Sequence, residues 1–151
     1  MANTSTIKNV EQFVRTWLCE KYSFPKFEEL KVFVSEKRGF NFDAVSKNNG
    51  GTIVAAILCN RPKTRTKRVN TGGHRKADSD ILKLILLPED TKKIMVFTNY
   101  GFCQSVKKRW TGTVIEERIA FKYCELPLPL QTELDLVLDK TSQEQRAAGD
   151  S

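Results

Sequence analysis

The stretch Phe40–Asn60, FNFDAVSKNNGGTIVAAILCN, decides the fold. It predicts a β-hairpin: an aromatic strand, a turn of Asn and Gly, and a second strand apolar on both faces. Asn49-Gly50 is the strongest turn signal in the chain, because a two-residue type I′ turn needs φ > 0 at both central positions. With that turn, Asn48 pairs with Gly51 and Asp43 falls opposite Ala56. Leu58 is the next residue on the same face. In the second strand Ile53, Ala55 and Ile57 point one way and Val54, Ala56 and Leu58 the other, which predicts a central strand covered on both sides.

Upstream, Ile7, Val10, Val14, Trp17 and Leu18 recur at helical spacing, predicting an amphipathic helix from about Thr6 to Tyr22. Pro25 limits its extension. Glu11 and Glu20 fall on or near its polar side and read as solvated helix charge. A strand near Leu30–Ser35 and a turn at Glu36-Lys37-Arg38-Gly39 complete a three-strand meander with the hairpin.

Downstream, Arg61–Thr71 is a basic excursion closed by Gly72-Gly73, long for a loop within a small domain. Ala77, Ile81, Leu84 and Ile85 predict a helix from about Lys76 to Leu87, stopped by Pro88. Lys93–Thr98 then reads as a buried strand. Two buried strands joined through a helix imply a parallel, right-handed crossover. A short helix over Phe102–Trp110, a strand at Ile119–Tyr123 and a helix over Leu128–Leu138 follow. The expectation is one α/β domain over residues 1–140, with 141–151 a disordered tail.

The 151 residues are 40% hydrophobic and 28% charged, as in a soluble globular protein. No window has the ~18 apolar residues of a membrane span, and the first residues lack the blocks of a signal peptide. An intracellular protein, cytoplasmic or nucleoid/nuclear, is expected. Cys19, Cys59, Cys103 and Cys124 are irregularly spaced, and His74 is the single histidine. A zinc finger or ribbon is not indicated, and the thiols are expected reduced. The net charge of +7 and an isoelectric point near 9.3 favour a polyanionic partner.

The order helix, three-strand meander, basic loop, helix, strand, with Asp43 on the middle strand, resembles the PD-(D/E)XK nucleases. That superfamily includes type II restriction endonucleases and archaeal Holliday-junction resolvases. The resemblance covers roughly residues 6–125. It implies a restriction-endonuclease-like mixed sheet flanked by helices, a Mg²⁺-dependent phosphodiesterase site and a DNA partner, double-stranded or branched. Its pattern is an Asp on one hairpin strand and an acid-x-Lys on the next. Val54-Ala55-Ala56-Ile57-Leu58 aligns with the second half, so Ala56 stands for the acid and Leu58 for the Lys.

Those residue types matter physically. Opposed residues on one hairpin face have Cβ atoms about 5 Å apart, so two carboxylates there share an Mg²⁺. A Lys two residues on shares the face and steadies developing phosphorane charge. With Ala56 and Leu58 the site keeps Asp43 alone, a weak and incomplete metal site, and loses about 10²–10³ in rate for the stabiliser alone. Three explanations stay open: a natural degenerate member retained for binding, an active enzyme altered at 56 and 58, or migration of the missing groups to Glu20, Glu36, Lys47 or Asp78.

Arg61, Lys63, Arg65, Lys67, Arg68, Arg75 and Lys76, joined by Lys107, Lys108 and Arg109, are the expected phosphate contacts, with binding that falls steeply as salt rises. His74 is expected at the surface. Asp78-Ser79-Asp80 reads as helix-dipole compensation, and Tyr100 and Trp110 as buried aromatics rather than base-stacking ones. The expected function is DNA binding on a nuclease scaffold with impaired or absent catalysis, and a homodimer is compatible with it. The alternative is a non-enzymatic interaction or structural module.

Overall fold

The run of apolar residues from Ile53 to Leu58 is buried on both faces and forms the middle of the sheet. The structure, a computed structural model, describes residues 4–48, 50–63 and 67–149, with side chains for 5–48, 50–63 and 67–140. In chain order the elements are α1 (Thr4–Tyr22), β1 (Glu28–Phe33), β2 (Gly39–Asn48), β3 (Gly51–Leu58), α2 (Thr71–Ile85), β4 (Lys92–Phe97), α3 (Tyr100–Trp110), α4 (Val114–Arg118), β5 (Ile119–Tyr123) and α5 (Leu128–Gly149). The fold is α/β, with a five-stranded mixed open sheet flanked by helices. Strand order is β1-β2-β3-β4-β5. The first three strands form an antiparallel meander, and β3, β4 and β5 run parallel.

Strand periodicity sorts the core into two layers. Val54, Ala56 and Leu58 pack with Ala77, Ile81 and Leu84 of α2 and Phe102 and Val106 of α3. Ile53, Ala55 and Ile57 pack with Val14 and Leu18 of α1. Val10 of α1 joins Leu126 and Leu134 in a third cluster that ties the first helix to the last. Each large apolar side chain so buried contributes about 1.5–3 kcal/mol. Among the described residues, no helix is long and apolar enough to cross a membrane.

The hairpin register is as expected: Asn48 pairs with Gly51, and the ladder runs back to Ala44–Ala55. The Asn48 side chain accepts the Gly50 N–H at 2.6 Å. Gly51 has φ +121°, a conformation side chains resist. Asn49 lies outside the described residues.

Two helix boundaries differ from expectation by more than two residues. α2 begins at Thr71, not Lys76, so Gly72 and Gly73 belong to its first turn rather than to a loop. Asn70 caps that turn by accepting the Gly73 N–H at 2.9 Å, and its amide donates to the Arg61 carbonyl at 2.9 Å. A Cβ on Gly73 would lie 2.7 Å from the Asn70 side chain, so glycine is what lets the cap close. The last helix runs past Leu138 to Gly149. Its added stretch, Asp139–Ala148, holds Gln, Glu, Arg and Ala and no proline, so propensity allows the extension.

Replacing Asn70 with alanine leaves the α2 N-terminus and the Arg61 carbonyl without these partners. The expected loss is about 0.5–2 kcal/mol of unfolding free energy by urea titration, with an unchanged slope.

Candidate functional site

Asp43 sits at a β-bulge. Leu30 pairs with Phe42 and Glu28 with Val45, so Glu29 of β1 opposes both Asp43 and Ala44 of β2. The extra residue changes which way the strand faces. Phe42 and Val45 both lie in the α2-side cluster, whereas Ala44 lies in the α1-side cluster. Asp43 turns with Ala44 toward α1, where three groups hold it. Arg15 Nε donates to its carbonyl at 2.8 Å. The Ile57 N–H donates to its Oδ2 at 2.8 Å. The third is the Glu11 carboxyl, which interacts with the Asp43 carboxyl. In a regular ladder the Ile57 N–H would meet a main-chain carbonyl of β2; here a side chain replaces it.

The bulge corrects the expected placement of the vacant positions. Ala56 and Leu58 face α2 and are sealed in the opposite layer from Asp43. The β3 residues on the α1 side are Ala55 and Ile57, with Cys59 following beyond the strand end. None of the four candidates for migrated groups fills the gap. Glu20, Glu36 and Lys47 are exposed, and Asp78 pairs with Arg109 at 3.2 Å. The acid that does reach Asp43 is Glu11. Its signal was present in the helical spacing: Glu11, Arg15 and Leu18 form one i, i+4, i+7 row beside the apolar stripe, so this acid and base border the buried face.

Burial pushes the Glu11 carboxyl above its ordinary value of 4.5, and the Asp43 and Glu29 charges and the Asp43 hydrogen bond add to this, against the opposing Arg15 charge. Arg15 also approaches Glu29 to 4.0 Å. The Cys59 thiol is pushed up to about 11, chiefly by burial, with Glu11 and Asp43 contributing and the Thr98 hydroxyl and Lys76 charge opposing. Cys59 is therefore a neutral group at physiological pH. Thr98 Oγ1 is buried against it and has no stronger partner. Among the described residues, no group of three or more His, Cys, Asp or Glu is placed to hold a metal ion.

The basic excursion leaves β3 directly after Cys59. It is pinned at its base: the Asn70 N–H donates to the Pro62 carbonyl at 3.1 Å, and Lys63 bridges Val69. Three of the expected phosphate contacts have acidic partners within the chain. Arg61 pairs with Asp139 of α5 at 2.9 Å, Lys76 with Asp80 at 3.2 Å, and Arg109 with Asp78 at 3.2 Å. Lys63, Lys67, Arg68, Arg75, Lys107 and Lys108 are exposed and without an ion pair among the described residues. Arg65 lies outside those residues.

The aromatic expectations also change. Tyr100 is 58% exposed and meets Tyr123 edge-on, with ring centroids 5.4 Å apart. It opens α3 beside Gly101, which abuts Pro62 of the basic excursion. Trp110 is half-buried, its indole N–H enclosed without a partner among the described residues. His74 is half-buried rather than superficial, edge-on to Phe102 and 3.4 Å from the Ser105 hydroxyl. Compared with protein-family models, curated proteins and solved structures, the chain matches none.

The raised Glu11 pKa links the site to stability. The folded protein holds this proton more tightly than the unfolded chain, so the contribution is fully present below pH 4.5 and is lost as pH rises through the raised value. Glu11→Gln removes that loss. The variant should melt higher than the parent at neutral pH in chelator, with the gap closing below about pH 4, in thermal scans across pH.

Proposed function

We propose that the protein binds nucleic acid on a restriction-endonuclease-like scaffold, through an acidic pair beside a basic excursion, and cleaves its ligand slowly or not at all. One observation carries this reading: Glu11 and Asp43 are held together where β3 ends and the cationic segment begins. The order of helix, meander, crossover helix and parallel strand supports the scaffold.

Two carboxylates pressed together are stabilised by a cation, and their oxygens suit Mg²⁺ better than a softer metal. Glu11 and Asp43 would hold it, with its remaining positions filled by water and phosphate oxygens. Bound there, Mg²⁺ would supply polarisation of a phosphoryl oxygen. The Ile57 N–H and Arg15 fix the Asp43 carboxylate and backbone beside Glu11. On this face Ile57 and Cys59 stand where an acid and a lysine would complete the constellation. Neither carries charge, which supports weak or absent turnover.

Lys63, Lys67, Arg68 and Arg75 reach the phosphate backbone, and the exposed Tyr100–Tyr123 pair offers a stacking surface beside them. If four phosphates are neutralised, affinity for duplex or branched DNA should fall by about 10²-fold between 50 and 200 mM salt. Alanine at all four cations should flatten that slope in titrations by fluorescence anisotropy. A salt-independent signal, or none, overturns the nucleic-acid reading. Separately, Asp43→Asn should weaken Mg²⁺ binding by about tenfold or more in calorimetry while the far-ultraviolet spectrum is retained.

A further inference from the structure

β1 is an edge of the sheet, and five of its six residues are exposed. Leu30 is 37% and Phe33 57% exposed, unusual for large apolar residues on an unpaired edge. The Val34 N–H donates to the Arg38 carbonyl at 2.8 Å. Antiparallel alternation then turns the main-chain groups of Val32 and Leu30 toward β2, and those of Glu29, Lys31 and Phe33 away from the sheet. The outer edge therefore presents a row of amide donors and acceptors ready to extend the ladder.

We propose that β1 pairs antiparallel with β1 of a second copy of this chain, about a two-fold axis at Leu30, joining the two sheets into one. The outward groups belong to odd-numbered residues, so odd must pair with odd, and few registers remain. An axis at Glu29 or at Lys31 sets like charges against each other, which destabilises a cross-strand pair. An axis at Val32 leaves Glu29 opposite Ser35. The axis at Leu30 places each Glu29 against the partner subunit's Lys31, twice by symmetry, with Leu30 meeting Leu30 of the partner subunit between them. Phe33 then lies opposite the partner's Phe27. A lysine on an edge ordinarily guards against such pairing; here Lys31 selects one register and forbids its neighbour. Such self-complementarity is what an isologous contact requires. This proposal is independent of the nucleic-acid reading.

Sedimentation over a range of protein concentrations tests it, with circular dichroism as the check on folding. The parent chain should be a dimer. Glu29→Lys and Lys31→Glu should each weaken the dimer by about tenfold or more, since reciprocal attractions become repulsions. The variant carrying both should recover most of the affinity, because the pairs are restored with their signs exchanged. Leu30→Cys should cross-link two chains on oxidation, as opposed residues at a non-hydrogen-bonded position lie within disulfide reach. A monomer at every concentration, a dimer indifferent to both single reversals, a folded double variant that stays dissociated, or a Leu30→Cys protein that does not cross-link overturns the proposal.

Discussion

The hydrogen bond from the Ile57 N–H to Asp43 Oδ2 is the contact on which the arrangement of the site depends. An amide in the middle of a covered sheet cannot be left without an acceptor, since an unmet buried donor costs about 1–3 kcal/mol. β2 carries one residue too many at this point, and its ladder with β3 lapses after Ala44. Asp43 mends the lapse with its own side chain, and Arg15 takes up the carbonyl that the bulge sets free. The charge at Asp43 thus has a structural cause as well as a chemical possibility. The same contact that completes the ladder brings the carboxylate against Glu11 of α1.

This explains why the fold was more legible than the site. Apolar residues on both faces from Ile53 to Leu58 marked a central strand, and Asn48–Gly51 pairing followed from the turn. The helix before the meander and the helix between β3 and β4 were visible in their spacing. The bulge was not, because Phe42-Asp43-Ala44-Val45 reads equally well as a regular strand. Its single extra residue reversed the face of Asp43, and with it the identity of the neighbouring β3 positions. Glu11 reads as a solvated helix charge because such charges ordinarily are; what distinguishes it is its place on the border of the buried stripe. Gly72-Gly73 read as a loop because glycine weakens helices, yet the Asn70 cap requires that small residue at 73.

Charge count proved a weaker guide than charge placement. Arg61, Lys76 and Arg109 belong to the expected basic surface, but each is bonded to an acid of the same chain. Arg61 and Asp139 fasten the root of the excursion to α5, while Lys63, Lys67 and Arg68 are exposed.

Strand order in space equals strand order along the chain. Each strand can therefore add to an edge already laid down by the one before it, and the sheet needs no late insertion between existing strands. In the antiparallel meander of β1 to β3, local pairing of this kind shortens the loops that must close during folding and favours rapid assembly. The exception is the outer side of α1, where Val10 is covered by Leu126 and Leu134 from the far end of the chain. During synthesis the growing sheet can form from its first strand onward, but its N-terminal helix remains partly uncovered until α5 has left the ribosome. Covering of this side of α1 thus waits on α5.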